Sequence, residues 1–391
     1  MSESFHYFQS SSGAVAVALP FELFGFINGW EGLRAQMIKE MPAEFARDEW
    51  AYLISFLDSH NLHSVFQQSF GTSQKSTEQP VRMLLRPRGR VAIWLPNNVS
   101  LLGPLTLILM SLTGNPLSLK GGSQSEDLAG AFLVFARQHA RGSLKTYLQE
   151  QVSHSVFERD DPKNRAMASE AMMRIVFGSD AAAEAVHALP HPLGSIAFSF
   201  VDRRSEAWLE KGGFAPAALA DLLKVFAIYG QAGCTSPRRV VLLGGQSEDA
   251  VELRDQLVEL WPQVIKRPPA PHLVSANLMA SQWAKAEEWN ARLTQNYGAV
   301  LLAGSMENRE IPGMMTLSIL SASLEKAKAS LSANIQTIGY ALKNPQDKKW
   351  IECVAGSGIR RFVPIASMHH FGPVWDGQAF WQQGFEMVEI R

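Results

Sequence analysis

The chain has 391 residues, 46% of them hydrophobic and 19% charged, which is enough to bury a sizeable core and makes two domains the expectation. Its formal net charge of −1 excludes a global basic field for nucleic acid or anionic lipid. The only cysteines, Cys234 and Cys353, are too few for a disulfide framework and favour a reducing compartment. The longest apolar run, 101–112, falls short of the ~20 residues of a membrane span. Because the N-terminus also lacks the blocks of a signal peptide, we expect a cytoplasmic protein.

The first 190 residues contain an alternation of strands and helices. A strand-like run over 14–19 and helical patterns come first, and a polar loop over 71–80 follows them. From Arg90 onward the pattern predicts strands over 91–95, 117–119 and 175–177, with helices over 101–112, 132–136, 169–174 and 180–188. Ser123 and Glu126 have the spacing of a capping box at the start of the helix that runs through Phe132 to Ala136. This order predicts an α/β fold with a doubly wound, Rossmann-type parallel sheet whose ligands bind at the carboxyl ends of the strands.

A second set of elements begins after the break at 190–194. It comprises strands over 196–200, 240–243, 300–303 and 362–365 and helices over 217–229 and 275–296, with a further helix through Leu324, Leu331, Ile335 and Ile338. We therefore expect a cofactor-binding domain with its N-terminal segment over 1–190 and an α/β catalytic domain over 191–370. The segment 371–391 is expected to return towards the first domain.

Cys234 lies between a predicted helix and a predicted strand, among small residues. A scaffold can hold a nucleophile open to substrate at such a junction. The alternative is a small hydrophobic side chain packed under a turn. No pair of cysteines has zinc-ligand spacing, and His139, His154, His187 and His191 are expected to be ordinary surface or packed histidines, so no metal is expected.

Three further motifs are ambiguous when taken singly. Lys120, followed by Gly121 and Gly122, could bind a nucleotide at a helix N-terminus, and Gly178 with Ser179 offers a second anion site of the same kind. Either motif could equally be a tight turn. Asn98 could form a turn or present its amide to a developing oxyanion.

Taken together, these motifs resemble the aldehyde dehydrogenase superfamily, and within it the fatty acyl-CoA reductase branch typified by the reductase of bacterial bioluminescence. The resemblance covers roughly residues 85 to 380. It rests on Pro96-Asn97-Asn98, Gly114-Asn115, Leu119-Lys120, Phe177-Gly178-Ser179, Leu193-Gly194, Gln231 with Cys234, and Phe371-Gly372-Pro373. Three segments are similar to the reductase branch in particular: 234–238, 334–339 and 374–377.

The resemblance implies a role for each matched residue. Cys234 matches the nucleophile, and Asn98 matches the asparagine whose amide forms the oxyanion hole with the backbone N–H of the cysteine. Lys120 matches the lysine at the adenosine ribose, and Ser179, next to Gly178, matches the serine near the pyrophosphate. Gln231 has one residue more than the family spacing between it and the cysteine.

Departures from the family pattern refine the expected reaction. Hydrolytic members carry a glutamate just before the Leu-Gly pair, where this chain has His191 and Pro192. Without that base, an acyl-enzyme would survive to accept hydride. Many NAD-dependent members carry a glutamate where this chain has Ser123. The absence of that carboxylate favours NADPH as the cofactor, with NADH as the alternative. The glutamate of the nicotinamide ribose is replaced by His369.

The expected function is therefore NADPH-dependent reduction of an acyl thioester to an aldehyde, with acyl-CoA or an acyl carrier protein as the substrate. Two alternatives stay open from the sequence: a CoA-acylating aldehyde dehydrogenase that runs in the oxidative direction, and a non-catalytic acyl-binding scaffold subunit. The partners compatible with the sequence are further copies of the chain or another enzyme of the pathway.

Overall fold

Three β-sheets connected by helices account for the regular structure, in a computed structural model that describes residues 5–9, 16–20, 22–74 and 80–390. The chain divides into two units. Unit 1 contains the residues up to Val201 and those from Phe371 onward, and unit 2 is Asp202–His370. The division therefore falls after the predicted strand over 196–200, because that strand pairs with a strand of unit 1. No helix among the described residues is long and apolar enough to cross a membrane.

Unit 1 contains the strands β1 Phe5–Gln9, β2 Ala16–Pro20, β3 Thr72–Gln74, β4 Val81–Pro87, β5 Val91–Trp94, β6 Leu117–Gly121, β7 Val152–Val156, β8 Met173–Phe177, β9 Ile196–Phe200 and, from the end of the chain, β17 Phe385–Glu389. Its helices are α1 Glu22–Met37, α2 Arg47–Phe56, α3 Ser59–Phe70, α4 Leu102–Ser111, α5 Leu128–His139, α6 Gly142–Glu150, α7 Lys163–Ser169 and α8 Asp180–His187.

The sheet predicted over the first half of the chain is present in unit 1. Its five strands are all parallel and lie in the order β7-β6-β5-β8-β9. The strands β5 and β8 are buried along their whole length, as expected when helices cover both faces of a parallel sheet. The chain order reverses between β5 and β8, so the ligand crevice of such a sheet is expected beyond the carboxyl ends of these two strands.

A second sheet of unit 1, in the order β17-β4-β2-β1-β3, joins the two ends of the chain. Its strand β17 runs antiparallel to β4. The buried amide of Asn115 accepts a hydrogen bond from the N–H of Gly89 at 2.8 Å and donates one to the carbonyl of Gly384 at 2.7 Å. The last residues of the chain are thus part of the same unit as its first half.

Unit 2 contains the strands β10 Arg204–Glu210, β11 Pro237–Leu243, β12 Asn290–Leu293, β13 Val300–Gly304, β14 Thr316–Ala322, β15 Ile335–Ala341 and β16 Arg361–Pro364. Its helices are α9 Pro216–Ala227, α10 Ser247–Val264, α11 Pro271–Ala286, α12 Leu324–Ala329 and α13 Lys348–Ala355. The sheet order is β12-β13-β14-β11-β10-β15-β16, and only β12 runs antiparallel to its neighbour. Successive buried residues of β11 pack into different cores: Val240 lies with Phe226 and Leu257, and Val241 lies with Trp350.

Three sequence predictions were wrong in detail. The helix over 275–296 ends at Ala286, and the chain continues as the edge strand β12 after Glu288, whose φ is 62°. The helix through Ile335 and Ile338 is instead the short helix α12 followed by the strand β15. Residues 169–174 contain the end of α7 and the start of β8 rather than a helix. Residues 14 and 15 of the first predicted strand lie outside the described residues.

Candidate active site

Cys234 lies in unit 2, on the loop that connects α9 to β11, as the sequence predicted. The residue is partly exposed. The other cysteine, Cys353, is buried in α13, and burial raises the pKa of its thiol. Of the two cysteines, Cys234 is therefore the more exposed residue.

The loop before Cys234 has an unusual backbone. Tyr229, Gly230 and Gln231 follow one another with φ values of 54°, 59° and 64°. A left-handed conformation costs a residue other than glycine about 1–2 kcal/mol. Tyr229 and Gln231 adopt it here, so tertiary contacts must hold the loop in place.

Gln231 supplies those contacts. Its fully buried amide donates to the carbonyls of Pro237 at 3.0 Å and Thr316 at 2.9 Å, and it accepts from the N–H of Thr316 at 3.1 Å. Pro237 begins β11 and Thr316 begins β14, so the side chain joins the loop to two neighbouring strands. In the sequence, Gln231 had only an uncertain place in a motif, because its bracing role depends on contacts with residues distant in sequence.

The carbonyl of Cys234 and the residue that follows it are held as well. The hydroxyl of Ser205, on β10, donates to the carbonyl of Cys234 at 2.7 Å. The next residue, Thr235, is buried, and its Oγ1 lies 2.6 Å from Nδ1 of His369. The other ring nitrogen of His369, Nε2, lies 2.8 Å from the carbonyl oxygen of Val225.

Asn98 lies in unit 1, on the turn that follows β5, and it is exposed. The neighbouring Asn97 accepts a hydrogen bond from the N–H of Gln124 at 3.2 Å. This bond joins the turn after β5 to the loop after β6. A Cβ on Gly122 would lie 2.6 Å from Oγ of Ser125 and 2.9 Å from the carbonyl of Pro96, so only glycine fits where the two loops approach each other.

The predicted cofactor residues all lie at or just beyond the carboxyl ends of strands of the parallel sheet. Lys120 is near the end of β6, Ser123 is in the loop beyond it, and Gly178 and Ser179 follow β8. Ser179 is also the N-cap of α8, since its side chain accepts from the N–H of Ala182 at 3.2 Å. The structure therefore places these four residues at the carboxyl-terminal edge of one sheet.

Lys120 has a half-buried ammonium group that donates to the carbonyl of Gly121 at 3.2 Å. Within the described part of the chain, no carboxylate lies within 4 Å of it. Burial lowers the pKa of Lys120, and the charge of Glu158 partly opposes this shift. The ammonium groups of Lys120 and Lys163 lie 5.5 Å and 5.7 Å from the centre of the Phe157 ring. This edge of the sheet can therefore accommodate an anionic group.

The predicted capping box of Ser123 and Glu126 is absent. Asp127 caps α5 instead, because its carboxylate accepts from the N–H of Gly130 at 3.0 Å. Nε2 of His154 lies 3.0 Å from the same carboxylate. Burial by itself raises the pKa of Asp127, but the contacts with His154 and Gly130 outweigh burial and lower it. Ser123 is thus not needed to cap the helix.

Solved structures of aldehyde dehydrogenases share this fold. A lactaldehyde dehydrogenase matches with a TM-score of 0.64 at 12% identity, over 94% of this chain and 86% of its own. An aldehyde dehydrogenase from Bartonella henselae matches with a TM-score of 0.63 at 13% identity, over 94% and 86%. An NAD-dependent aldehyde dehydrogenase from Sinorhizobium meliloti matches with a TM-score of 0.66 at 11% identity, over 94% and 82%. These similarities confirm the predicted aldehyde-dehydrogenase-like fold.

The family model described as acyl-CoA reductase (LuxC) matches residues 61–383. The chain therefore belongs to this acyl-CoA reductase family and is an oxidoreductase that forms an aldehyde. No curated protein matches the chain in sequence. The predicted family and enzyme class are confirmed, and the alternative of a non-catalytic scaffold subunit is not supported.

Proposed function

We propose that the protein reduces an acyl thioester to an aldehyde with NADPH, through an acyl-enzyme on Cys234. The main support is the position of this cysteine. Cys234 is partly exposed on a braced loop between helix and strand, whereas Cys353 is packed inside α13. An acyl-CoA reductase with a cysteine nucleophile needs an accessible thiol, and of the two cysteines Cys234 meets that need better.

In the first step, the thiolate of Cys234 attacks the thioester carbonyl. We propose that the amide of Asn98 and the backbone N–H of Cys234 stabilise the oxyanion of the tetrahedral intermediate. Its collapse expels the thiolate of CoA, or of a carrier pantetheine, and leaves the acyl group on Cys234. The contacts of Gln231 and Ser205 favour this step because they fix the backbone around the thiol before the substrate arrives.

The acyl-enzyme must then resist water. The position of the water-activating glutamate in hydrolytic members is occupied by Pro192, which has no titratable group. The neighbouring His191 is exposed, with Nδ1 2.9 Å from Oγ of Ser195. We infer that the thioester on Cys234 persists until it is reduced.

The edge of the parallel sheet in unit 1 fits a nicotinamide dinucleotide. We propose that Lys120 binds the adenosine ribose, that Gly178 and Ser179 lie at the pyrophosphate near the N-terminus of α8, and that Ser123 leaves room for a 2′-phosphate. The bound nicotinamide would supply a hydride to the acyl carbon. Cys234 then leaves as a thiolate when the thiohemiacetal collapses, which releases the aldehyde. Unit 1 is on this view the cofactor-binding part and unit 2 the part that carries the nucleophile.

Mass spectrometry after incubation with a long-chain acyl-CoA tests the nucleophile. We expect one acyl adduct on Cys234, formed without nicotinamide cofactor and removed when NADPH is added. The variant Cys353→Ser should keep the adduct, and Cys234→Ser should lose both the adduct and all aldehyde formation. An adduct on Cys353, or turnover by Cys234→Ser, would show that the mechanism is wrong.

The role of Asn98 is tested by kinetics. Because the loss of one oxyanion donor typically lowers the rate about 100- to 1000-fold, Asn98→Ala should lose that much in kcat. Asn97→Ala removes a bond to the backbone of Gln124 and should have a smaller effect. Equal rates for Asn98→Ala and the unmodified protein would remove this residue from the mechanism.

Cofactor choice is tested at Ser123. A carboxylate about 4 Å from a 2′-phosphate costs about 1 kcal/mol even in water, so Ser123→Glu should weaken NADPH use at least about fivefold relative to NADH. The exposed neighbour Gln124 provides the control, and Gln124→Glu should change the ratio less. An unchanged ratio in Ser123→Glu would place the 2′-phosphate elsewhere.

The acyl donor and the direction of reaction follow from steady-state rates. NADPH oxidation measured across a series of acyl-CoA lengths, and with an acyl carrier protein, identifies the preferred donor. The same assay run from aldehyde, CoA and NADP+ measures the oxidative direction, which we expect to be slower.

A further inference from the structure

The chain of contacts from Thr235 through His369 to Val225 is not explained by the chemistry above. Oγ1 of Thr235 lies 2.6 Å from Nδ1 of His369, and Nε2 of the same ring lies 2.8 Å from the carbonyl oxygen of Val225. All three residues are in unit 2. Thr235 directly follows Cys234, so this chain ends one residue from the thiol.

The direction of both hydrogen bonds can be assigned. A peptide carbonyl only accepts, so Nε2 of His369 carries the hydrogen that is donated to Val225. Burial, with the positive charges of Arg361 and His370, lowers the pKa of His369 to about 4, although the bond to Val225 opposes this shift. In the neutral ring Nδ1 is therefore an acceptor, and the hydroxyl of Thr235 donates to it.

Hydrogen bonds anchor both the His369 ring and the chain segment that carries it. Val225 lies in the last turn of α9, where the final carbonyls have no partner inside the helix, and His369 supplies one. The segment that carries His369 is held by Arg361, whose guanidinium donates to the carbonyls of Met368 at 2.9 Å and His370 at 3.1 Å. The ring thus joins α9, the segment after β16 and the loop of Cys234.

This arrangement fixes the peptide on the carboxyl side of Cys234. The hydroxyl of Ser205 holds the carbonyl of Cys234, and His369 holds the side chain of Thr235. Since the Thr235 proton is directed at Nδ1, this hydroxyl is not a donor for the substrate oxyanion. Since both ring nitrogens have hydrogen-bond partners, the ring is not arranged to take the proton of the thiol.

We propose that His369 is a positioning residue that fixes Thr235, and through it the orientation of the Cys234 thiol, for attack on the thioester. The proposal rests on Cys234 being the nucleophile. In related enzymes a glutamate at the position of His369 binds the cofactor, whereas here His369 contacts the loop that carries Cys234. The acylation step needs no nicotinamide, so the positioning effect can be measured in that step by itself.

The test uses the rate of acyl-adduct formation on Cys234 without cofactor, followed by rapid-quench mass spectrometry. Thr235→Val keeps the shape of the side chain and removes the donor, whereas Thr235→Ser keeps the donor. We expect Thr235→Ser to acylate within about threefold of the unmodified protein and Thr235→Val to be about ten- to a hundredfold slower, since small misplacements of a reacting group have effects of this size. The apparent affinity for acyl-CoA should stay unchanged.

Combination with His369→Ala separates a shared role from two independent ones. If His369 acts through Thr235, the double variant should be no slower than the slower single variant. The pH dependence of Cys234 alkylation by iodoacetamide should have the same midpoint in Thr235→Val as in the unmodified protein, because positioning does not change the thiol pKa. If His369→Ala does not fold, as judged by circular dichroism, the Thr235 pair and the alkylation profile decide alone.

Several results would overturn the proposal. Equal acylation rates for Thr235→Val and Thr235→Ser would do so, as would losses of acylation rate that multiply in the double variant. A shift in the pH midpoint of Cys234 alkylation would point to proton transfer instead of positioning. If the unmodified protein acquires no adduct on Cys234 at all, the proposed nucleophile itself is wrong. That result is distinguishable from normal acylation of Thr235→Val, which refutes the positioning role only.

Discussion

Gln231 provides the sharpest test of how the loop of Cys234 is held. Its amide is fully buried and makes three hydrogen bonds to the backbone of Pro237 and Thr316. The substitution Gln231→Met keeps the length and flexibility of the side chain and removes every donor and acceptor. Methionine adopts a positive φ no more easily than glutamine, so the backbone cost is the same in both proteins.

The magnitude follows from the groups left behind. The substitution leaves two carbonyls and one N–H buried without this partner, and each such group costs about 1–3 kcal/mol. At the lower end of that range the loss is about 3 kcal/mol, a large part of the 5–15 kcal/mol that stabilises a typical domain. For a unit of this size it corresponds to a decrease in Tm of roughly 6–12 °C.

Differential scanning calorimetry and urea unfolding measure this loss. The control is Gln256→Met, the same substitution at an exposed position of α10, where the amide donates to the carboxylate of Glu252 at 3.1 Å. Surface changes of that kind are usually within about 0.5 kcal/mol. If both variants lose the same stability, or if Gln231→Met loses less than about 1 kcal/mol, the bracing role is refuted.

Three further predictions concern His369, Asp127 and Ser111. His369 faces Arg361, His370 and the Tyr229 ring, and its pKa in the folded protein is about 4, against the ordinary histidine value of 6.5 expected in the unfolded chain. The unfolded chain therefore binds more protons between these values, so up to roughly 3 kcal/mol of stability is present above pH 6.5 and is lost as pH falls to about 4. Urea unfolding of the unmodified protein and His369→Gln across this range should differ in slope, and parallel curves would contradict the shift. Asp127→Ala should lose about 1 kcal/mol as the cap of α5 while Asp127→Asn, also a good N-cap, loses less, and equal losses in urea unfolding would contradict the capping role. The buried indole N–H of Trp30 donates to the hydroxyl of Ser111 at 2.9 Å, and Ser111→Ala removes this acceptor. We expect the substitution to lower the free energy of unfolding by about 1–3 kcal/mol in calorimetry, and an unchanged Tm would contradict this prediction.

The errors in the sequence analysis have a common cause. The strand β15 is buried at its first five positions, so it has no alternation to distinguish it from a helix, and Ile335 and Ile338 also fit a helical spacing. The strand β12 is short and exists because it pairs with β13. Trp289, just before it, is buried with its indole bonded to the carbonyl of Arg309. Local patterns do not contain these pairings between distant segments.

Some residues of the candidate site can be recognised from local sequence, and others only from contacts between distant segments. The motifs around Lys120, Ser179 and Cys234 follow strands or connect a helix to a strand, and each is visible in the order of local elements. Gln231 and His369 act through partners 85 and 144 residues away, Thr316 and Val225 respectively. Sequence order alone contains no sign of these contacts.

The sequence by itself determined the family, the alternation of strands and helices, and the location of Cys234 on a loop between a helix and a strand. These depend on hydrophobic periodicity and on short motifs, which are local properties. Only the tertiary structure decided which cysteine is accessible, which carboxylate caps α5, and what holds the strained loop of Cys234. Burial and hydrogen bonding between distant segments exist only after the chain has folded, and they set the exposure of the thiol and the protonation state of His369.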